Sequence, residues 1–347
     1  MWRRIVVAGS CERLSAMSAI FRRRGGNARR LFFATDLHAS EACFRKFLAA
    51  ARVYDVDLLV LGGDITGKAL VPLVPDATGA GTRAGLGRDA PLLNGEQEIA
   101  AFVRRVADAG NYAVRLSRER AQQLRADPDE LHAELTAAAR ERVAEWALLA
   151  EERLGERGTH CYVTGGNDDP QDVLEPLRRG ANSPVVFCEG EVRDIGEDIS
   201  ILSLGYSNHT PWKTPRELTE EELLARIRTL AAQAPDPHRT IFNLHVPPIA
   251  SGLDLCPALD TGSDPPAVVR VGGEVQYTDA GSTAVREALH EFHPFLSLHG
   301  HIHESRANAR LNGTLALNPG SESQAGVLKG VIATLDVRRP SFQFTTG

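Results

Sequence analysis

The chain is short of lysine, of aromatic residues and of paired cysteines, and each shortage narrows what it can be. Lysine stands only at positions 46, 68, 213 and 329. Nearly all positive charge is therefore arginine, a bias that fits a GC-rich genome, since no fork of arginines stands out as a phosphate clamp. With a net charge of −6 there is no global basic footprint, so nucleic acid is disfavoured as a partner unless a local patch provides for it. Five cysteines (Cys11, Cys43, Cys161, Cys188, Cys256) are odd in number, scattered and without a C-x-x-C pair. That spacing excludes a disulfide scaffold and a zinc ribbon and fits a cytoplasmic protein. No run approaches the roughly 18 apolar residues that span a bilayer, so no membrane partner is expected.

What is present is a large, ordinary globular composition: 347 residues, 43% apolar and 24% charged. The first 29 residues carry seven arginines around a short apolar stretch at residues 5–9, too short for the core of a signal peptide. Residues 1–29 are expected to be a basic, disordered extension. Met17 stands as an alternative start, since nothing before Arg30 is needed by the expected fold.

From there a short apolar run ending in a polar residue recurs: Leu31 to Thr35, Leu58 to Leu61, His160 to Thr164, Thr240 to Leu244 and Phe295 to Leu298. Each reads as a buried strand. Ser40 followed by Phe44, Phe47, Leu48 and Ala51 reads as a capped helix, so the chain opens strand, helix, strand. Later strands are expected at Pro184 to Phe187, Ile199 to Leu204, Leu315 to Leu317, Gly330 to Val337 and Ser341 to Thr345, with a helix begun by the Thr219 and Glu222 capping box. The expected fold is α/β, with two packed sheets and helices outside.

Residues 76–155 interrupt this alternation as a loop-plus-helical insertion. Residues 76–94 are rich in Gly, Ala, Pro and Asp; 95–155 read as mainly helical, with Asp127, Pro128 and Glu130 starting a long helix. Its apolar stripe (Leu131, Leu135, Ala138, Val143, Trp146, Leu149, Leu154) reads as core packing. The alternative is a lid over the site, or a face through which two copies of the chain associate.

Every one of the five apolar strands ends at a residue able to bind a metal: Asp36 with His38, Asp64, Asn167, His245, and His301 with His303. Ligand sites in open α/β sheets form beyond the carboxyl ends of strands, so five such segments converge on one cleft. Carboxylate and amide oxygens suit hard cations and imidazoles suit first-row transition metals, so the mixed set points to Mn, Fe or Zn. In Asp36-Leu37-His38 and His301-Ile302-His303, a period of two in an extended segment puts both side chains on one side. Gly63, Gly166 and Gly300, each just before a candidate ligand, remove side chains where backbone must come close. Taken singly, each motif reads better as a strand-end turn or a satisfied histidine than as a ligand. Their joint placement carries the argument.

In order and type these residues resemble the calcineurin-like metallophosphoesterases, whose motifs run D-x-H, G-D, G-N-H-D/E, H and G-H-x-H. The resemblance spans Leu31 to about Val337, outside residues 76–155, and is closest to a bacterial and archaeal branch with a His-x-Pro-Pro context, here His245-Val246-Pro247-Pro248, followed by Asn318-Pro319-Gly320-Ser321. It implies a β-sandwich flanked by helices in α/β/β/α layers. It also implies two divalent metal ions, one held by Asp36, His38, Asp64 and His303, the other by Asp64, Asn167, His245 and His301, with Asp64 bridging. The implied activity is hydrolysis of a small phosphoester by a water-derived hydroxide between the two ions.

One position departs from the pattern. Gly166-Asn167-Asp168-Asp169 stands where the family has Gly-Asn-His-Asp, and that His commonly protonates the leaving group. Asp168, with a reference pKa of about 3.9, would be a poor acid, and nearby cations would lower it further. Asp168 is thus an unusual general acid, or structural with protonation from His209 or water, or the mark of a weak or inactive site on a scaffold protein. The extra carboxylate penalises a dianionic monoester more than a monoanionic diester, which favours phosphodiesters. The loop Gly205 to Lys213 is a candidate substrate loop; as a plain connection it would end in a helix cap at Thr214. His299 is expected to face away from the metal-binding side.

Overall fold

A computed structural model describes residues 28–347 apart from 78, 80, 86, 88, 264, 337 and 338. The expectations for residues 1–27 and for Val337 as a strand end lie outside the described residues.

Twelve strands form two six-stranded sheets. The first has the order β12-β11-β1-β2-β3-β4: Ser341–Thr346, Lys329–Leu335, Arg29–Ala34, Leu58–Gly62, His160–Thr164 and Val185–Phe187. The second has the order β9-β10-β8-β7-β6-β5: Ala307–Leu311, Thr314–Asn318, Leu296–Leu298, Thr240–Leu244, Ile199–Leu204 and Glu191–Gly196. Strand β1 pairs parallel with β2 (Leu31 beside Leu58), β2 with β3, and in the second sheet β6 with β7 and β7 with β8. The parallel strands therefore deliver their carboxyl ends to one edge. Arg29, expected outside the fold, is already in β1, and its guanidinium donates to the Ile195 carbonyl.

Side-chain alternation builds the layers. Leu31, Phe33, Leu58 and Val60 face the second sheet, meeting Ile201, Ile241, Leu296 and Leu317 in a fully buried middle core. Their neighbours Phe32, Ala34, Leu59 and Leu61 point the other way, against helices α1 (Glu41–Val53) and α4 (Pro128–Gly155). On the far side Leu202, Leu204, Phe242 and Leu244 pack on α5 (Glu220–Ala231) and α6 (Thr283–Phe292). The α/β/β/α order of layers follows from period two in the central strands, each of which buries both faces. Helix starts follow local chemistry. Ser40 caps α1, Asp127 with Pro128 starts α4, and Thr219 with Glu222 closes a capping box on α5.

The segment between β2 and β3 is less helical than expected. A four-stranded sheet, Leu92–Leu93, Thr82–Ala84, Leu70–Pro75 and Tyr112–Arg115, precedes and surrounds α2 (Glu96–Asp108) and α3 (Arg118–Ala126). Pro72 and Pro75 obscure its longest strand in the sequence, since proline interrupts a strand pattern. The stripe on α4 is core from Leu135 to Leu154, while Leu131 at its start is exposed. Val143, Trp146, Ala147, Ala150 and Leu154 are buried, with Trp146 stacked on Phe44 at 4.1 Å and donating to Glu41 Oε2 at 2.6 Å. A second unexpected feature is an arm at residues 249–281, where three two-stranded antiparallel ladders (Leu255–Pro257 with Tyr277–Asp279, Leu259–Asp260 with Ala267–Val268, Arg270–Val271 with Glu274–Val275) project beside the same edge.

Candidate metal centre

The loops after β1 and β2 continue the sheet's hydrogen bonding past its end. Asp36 N donates to Gly63 O, His38 N to Asp64 O and Ala39 N to Ile65 O, at 2.7–2.9 Å. The backbone there is not extended. Asp36, His38, Asp64 and His301 all have φ between +43° and +66°. The two-residue spacing thus brings Asp36 and His38 together through left-handed turns rather than a period-two strand. This correction also holds at His301. Left-handed non-glycine residues cost about 1 kcal/mol or more each, and the surrounding hydrogen bonds hold them there.

All seven expected residues meet at this edge. Asp36, His38, Asp64 and His303 have ligand atoms within 4.8 Å of one another, as do Asp64, His245 and His301, and Asp64 belongs to both groups. His38 Nε2 is 3.1 Å from His303 Nε2, which is 3.2 Å from Asp36 Oδ1. His245 Nε2 is 3.4 Å from Asp64 Oδ2. Asn167 Oδ1 lies 2.8 Å from His301 Nδ1, which brings the amide to the second group.

Neighbouring groups fix each side chain. The Asn167 amide donates through Nδ2 to Thr214 Oγ1 at 2.9 Å, which sets its oxygen towards His301. His245 Nδ1 bonds the Gly62 carbonyl at 2.9 Å, leaving Nε2, buried and without a hydrogen-bond partner, aimed between Asp64 and Asp36. His38 Nδ1 is likewise buried and unpartnered. An imidazole whose one nitrogen is held by a carbonyl while the other faces two carboxylates is the arrangement of a metal ligand. The donor set fits divalent cations on these grounds.

Two glycines are required by close approach. A Cβ on Gly166 would sit 2.0 Å from Asp64 Oδ1, and one on Gly300 2.3 Å from Asp36 Oδ2. Four residues absent from the sequence reading as site builders complete the frame. The Asp169 carboxylate accepts from Ile65 N, Thr66 N, Thr66 Oγ1 and Gly166 N, stapling two loops. Asn318 Nδ2 reaches three carbonyls around the last motif, and Ser321 Oγ donates to Asp36 O at 2.7 Å. Thr35 Oγ1 donates to Asp36 Oδ2. Asp169 and the Asn318 to Ser321 run were visible as motif neighbours; Thr35 carried no signal.

Charge follows this geometry. Burial opposes ionisation of Asp36, but the hydrogen bond from His303 and the charge of His245 outweigh it and hold the carboxyl at about 2. Burial likewise opposes a proton on His245, yet Asp64 and Asp36 draw one, raising it to about 10. The cluster attracts positive charge, and a metal ion competes with protons for such a site. His299 is buried and satisfied by Leu244 O, Val246 O and Ser297 Oγ, facing away from the cluster as expected, and burial pushes it down to about 4.

The two acid candidates differ. Asp168 pairs with Lys68 and lines a cavity of about 590 Å³ over the cluster. Burial and then the charge of Asp64 push its carboxyl up to about 7 against the pull of Lys68. His209 lies on the same wall, its side chain 67% exposed and 3.5 Å from Glu217 Oε2. Thr214 is not a helix cap; it accepts from Asn167 and donates through its amide and hydroxyl to Glu217 Oε1 at 2.7 and 2.8 Å, while Thr219 caps α5.

No family model matches the chain. Over 177 residues it is 28% identical to an uncharacterized protein, MJ1162, of Methanocaldococcus jannaschii, covering 50% of this chain and 70% of that protein. A solved crystal structure superposes with a TM-score of 0.54 over 92% of this chain and 98% of that one, at 13% identity. The two share a fold, here two packed six-stranded sheets with helices outside in α/β/β/α layers. The TT1561 protein of Thermus thermophilus matches with a TM-score of 0.49 and 12% identity, over 91% of this chain and 99% of that chain. Among the described residues no helix is long and apolar enough to cross a membrane.

Proposed function

We propose that the protein hydrolyses phosphoesters with two divalent metal ions, preferring diesters. The observation that carries this reading is the pair of ligand groups sharing Asp64 at the floor of one cavity. Asp36, His38, Asp64 and His303 would hold one ion, and Asp64, Asn167, His245 and His301 the other, with Mn, Fe or Zn as the fitting metals. When bound, such a pair supplies water acidic enough to attack at neutral pH and neutralises charge on the phosphoryl oxygens.

The chain's own residues do the rest. The strand-end loops, locked by Asp169 and Asn318, fix the ligands before substrate arrives, so little reorganisation is left to the reaction. Lys68 holds Asp168 at the wall, and the Asn167, Thr214 and Glu217 chain ties the substrate loop to the floor. We assign leaving-group protonation to His209 or water and keep Asp168 as a structural partner of Lys68. A diester is favoured because the lining offers no arginine for the second charge of a monoester and adds the carboxylate of Asp168.

The test is hydrolysis of bis-p-nitrophenyl phosphate against p-nitrophenyl phosphate with Mn²⁺, in the wild type, Asp64→Ala and His245→Ala. Loss of at least about 100-fold in both variants is expected. Undiminished hydrolysis in both would overturn the reading, and a wild type that binds Mn²⁺ without hydrolysing either ester would favour a scaffold role.

A further inference from the structure

The wall of the cavity facing the ligand cluster is apolar, and it is built by segments that supply none of the ligands. Trp212 comes from the loop after β6. Ile249, Pro257, Leu259 and Val268 come from the arm at residues 249–281. These groups are not spent on core packing. Among the described residues nine large apolar side chains are exposed, and five of them (Trp212, Leu255, Val268, Val271 and Tyr277) belong to this loop and arm, with Trp212 55% and Val268 43% exposed. Trp212 and Val268 line the cavity itself, and exposed apolar side chains inside a cavity mark a surface that something apolar covers.

Charge narrows what that is. The lining has a single lysine or arginine, Lys68, and it is already paired with Asp168. Around it stand four further carboxylates, Asp64, Glu220, Asp279 and Glu304. Glu220 is committed to Ser282 Oγ and Ala284 N, while Asp279 and Glu304 line the cavity. A substrate with a second phosphate, or a polynucleotide, would meet carboxylates and no free cation beyond the metal floor. A cavity of about 590 Å³ nonetheless has room for far more than one phosphoryl group.

Building on the phosphoesterase reading, we propose that the substrate is a single phosphoester carrying an uncharged apolar chain, seated between Trp212 and the Pro257, Leu259 and Val268 wall of the arm. The floor takes the phosphoryl group, and the wall takes the chain. The arm is thus the specificity element, and the acidic rim excludes polyanionic esters.

The experiment uses the Mn²⁺-loaded full chain and p-nitrophenyl esters of methyl, butyl and octyl phosphate, with p-nitrophenyl thymidine 5′-phosphate as the polar comparison. The expected result is a kcat/KM that rises at least tenfold from methyl to octyl, with the thymidine ester no better than methyl. Val268→Asp and Trp212→Ala, both at exposed positions, should abolish the gain from methyl to octyl, bringing the octyl-to-methyl ratio of kcat/KM to about one. A flat series, or preference for the thymidine ester, overturns the proposal while leaving the phosphoesterase reading intact. Should no ester be hydrolysed, that reading fails, and quenching of the tryptophan fluorescence that is missing in Trp212→Ala decides the apolar wall alone. Half-saturation by octyl phosphate at least tenfold below that by methyl phosphate supports it, and equal values refute it.

Discussion

Asn318 offers a sharp test of how the last ligand loop is held. Its side chain is fully buried, and Nδ2 lies 3.0, 3.2 and 3.1 Å from the carbonyls of Leu253, Gly300 and Ile302, while Oδ1 accepts from Gly320 N at 2.8 Å. Two amide hydrogens serve three acceptors, so two bonds' worth of donation is at stake. Asn318→Ala leaves those carbonyls buried and unpaired, at about 1–3 kcal/mol for each lost donor, for a total of about 3 kcal/mol. Asn318→Asp keeps the volume but puts an acceptor where donors are needed. Its carboxyl must be protonated to fit, so its folded pKa lies above the unfolded value of about 3.9. Stability from a raised carboxyl pKa is present below the unfolded value and lost as pH rises. Asn318→Asp should therefore recover up to about 2.7 kcal/mol relative to wild type between pH 7.5 and 5.5, at about 1.36 kcal/mol per unit, whereas Asn318→Ala should not. Urea unfolding followed by fluorescence at both pH values measures this. Parallel behaviour of the two variants, or losses below about 1 kcal/mol in both, would refute the reasoning.

Three more expectations follow from packing and charge. Burial pushes the Cys188 thiol up to about 12 from 9.0, although its hydrogen bond to Ser203 pulls the other way. Stability from this thiol is complete below pH 9 and lost as pH rises through 12, so by pH 10.5 the wild type should lose about 2 kcal/mol that Cys188→Ala does not, read by urea unfolding. Gly166→Ala drives a methyl into Asp64 and should cut Mn²⁺-dependent ester hydrolysis by about 100-fold, a drop that steady-state rates would show. Trp146→Ala removes a buried stack and an indole hydrogen bond, costing about 4 kcal/mol in a chemical melt, while Leu131→Ala on an exposed turn of the same helix should cost under about 1 kcal/mol.

The central sheets were legible because their strands bury both faces. Runs such as Leu31 to Ala34 and Leu58 to Leu61 are continuous apolar segments, and the polar residue that ends each one marks the shared edge. The seven residues brought together there were found from the same signal. The left-handed turns at Asp36, His38 and Asp64 were not, because aspartate and histidine, though enriched at positive φ, adopt it in only a small minority of positions; the loop hydrogen bonds between β1 and β2 impose it. The arm at residues 249–281 was invisible for another reason. Its strands are two or three residues long, below any period that could be read, and its apolar residues alternate with proline and glycine. A cap at Thr214 was the plain-connection reading of that loop; its two partners, Asn167 and Glu217, are set by the tertiary fold.

Those left-handed residues set stability against function. At Asp36, His38, Asp64 and His301 the backbone would be more comfortable as glycine, and each such replacement would remove a strained residue together with a side chain that gives the site its use. Selection for robustness alone would push these four positions towards glycine and erase the centre while keeping the fold. A descendant of this chain that had abandoned its chemistry should therefore show glycine here first, before its strands drift.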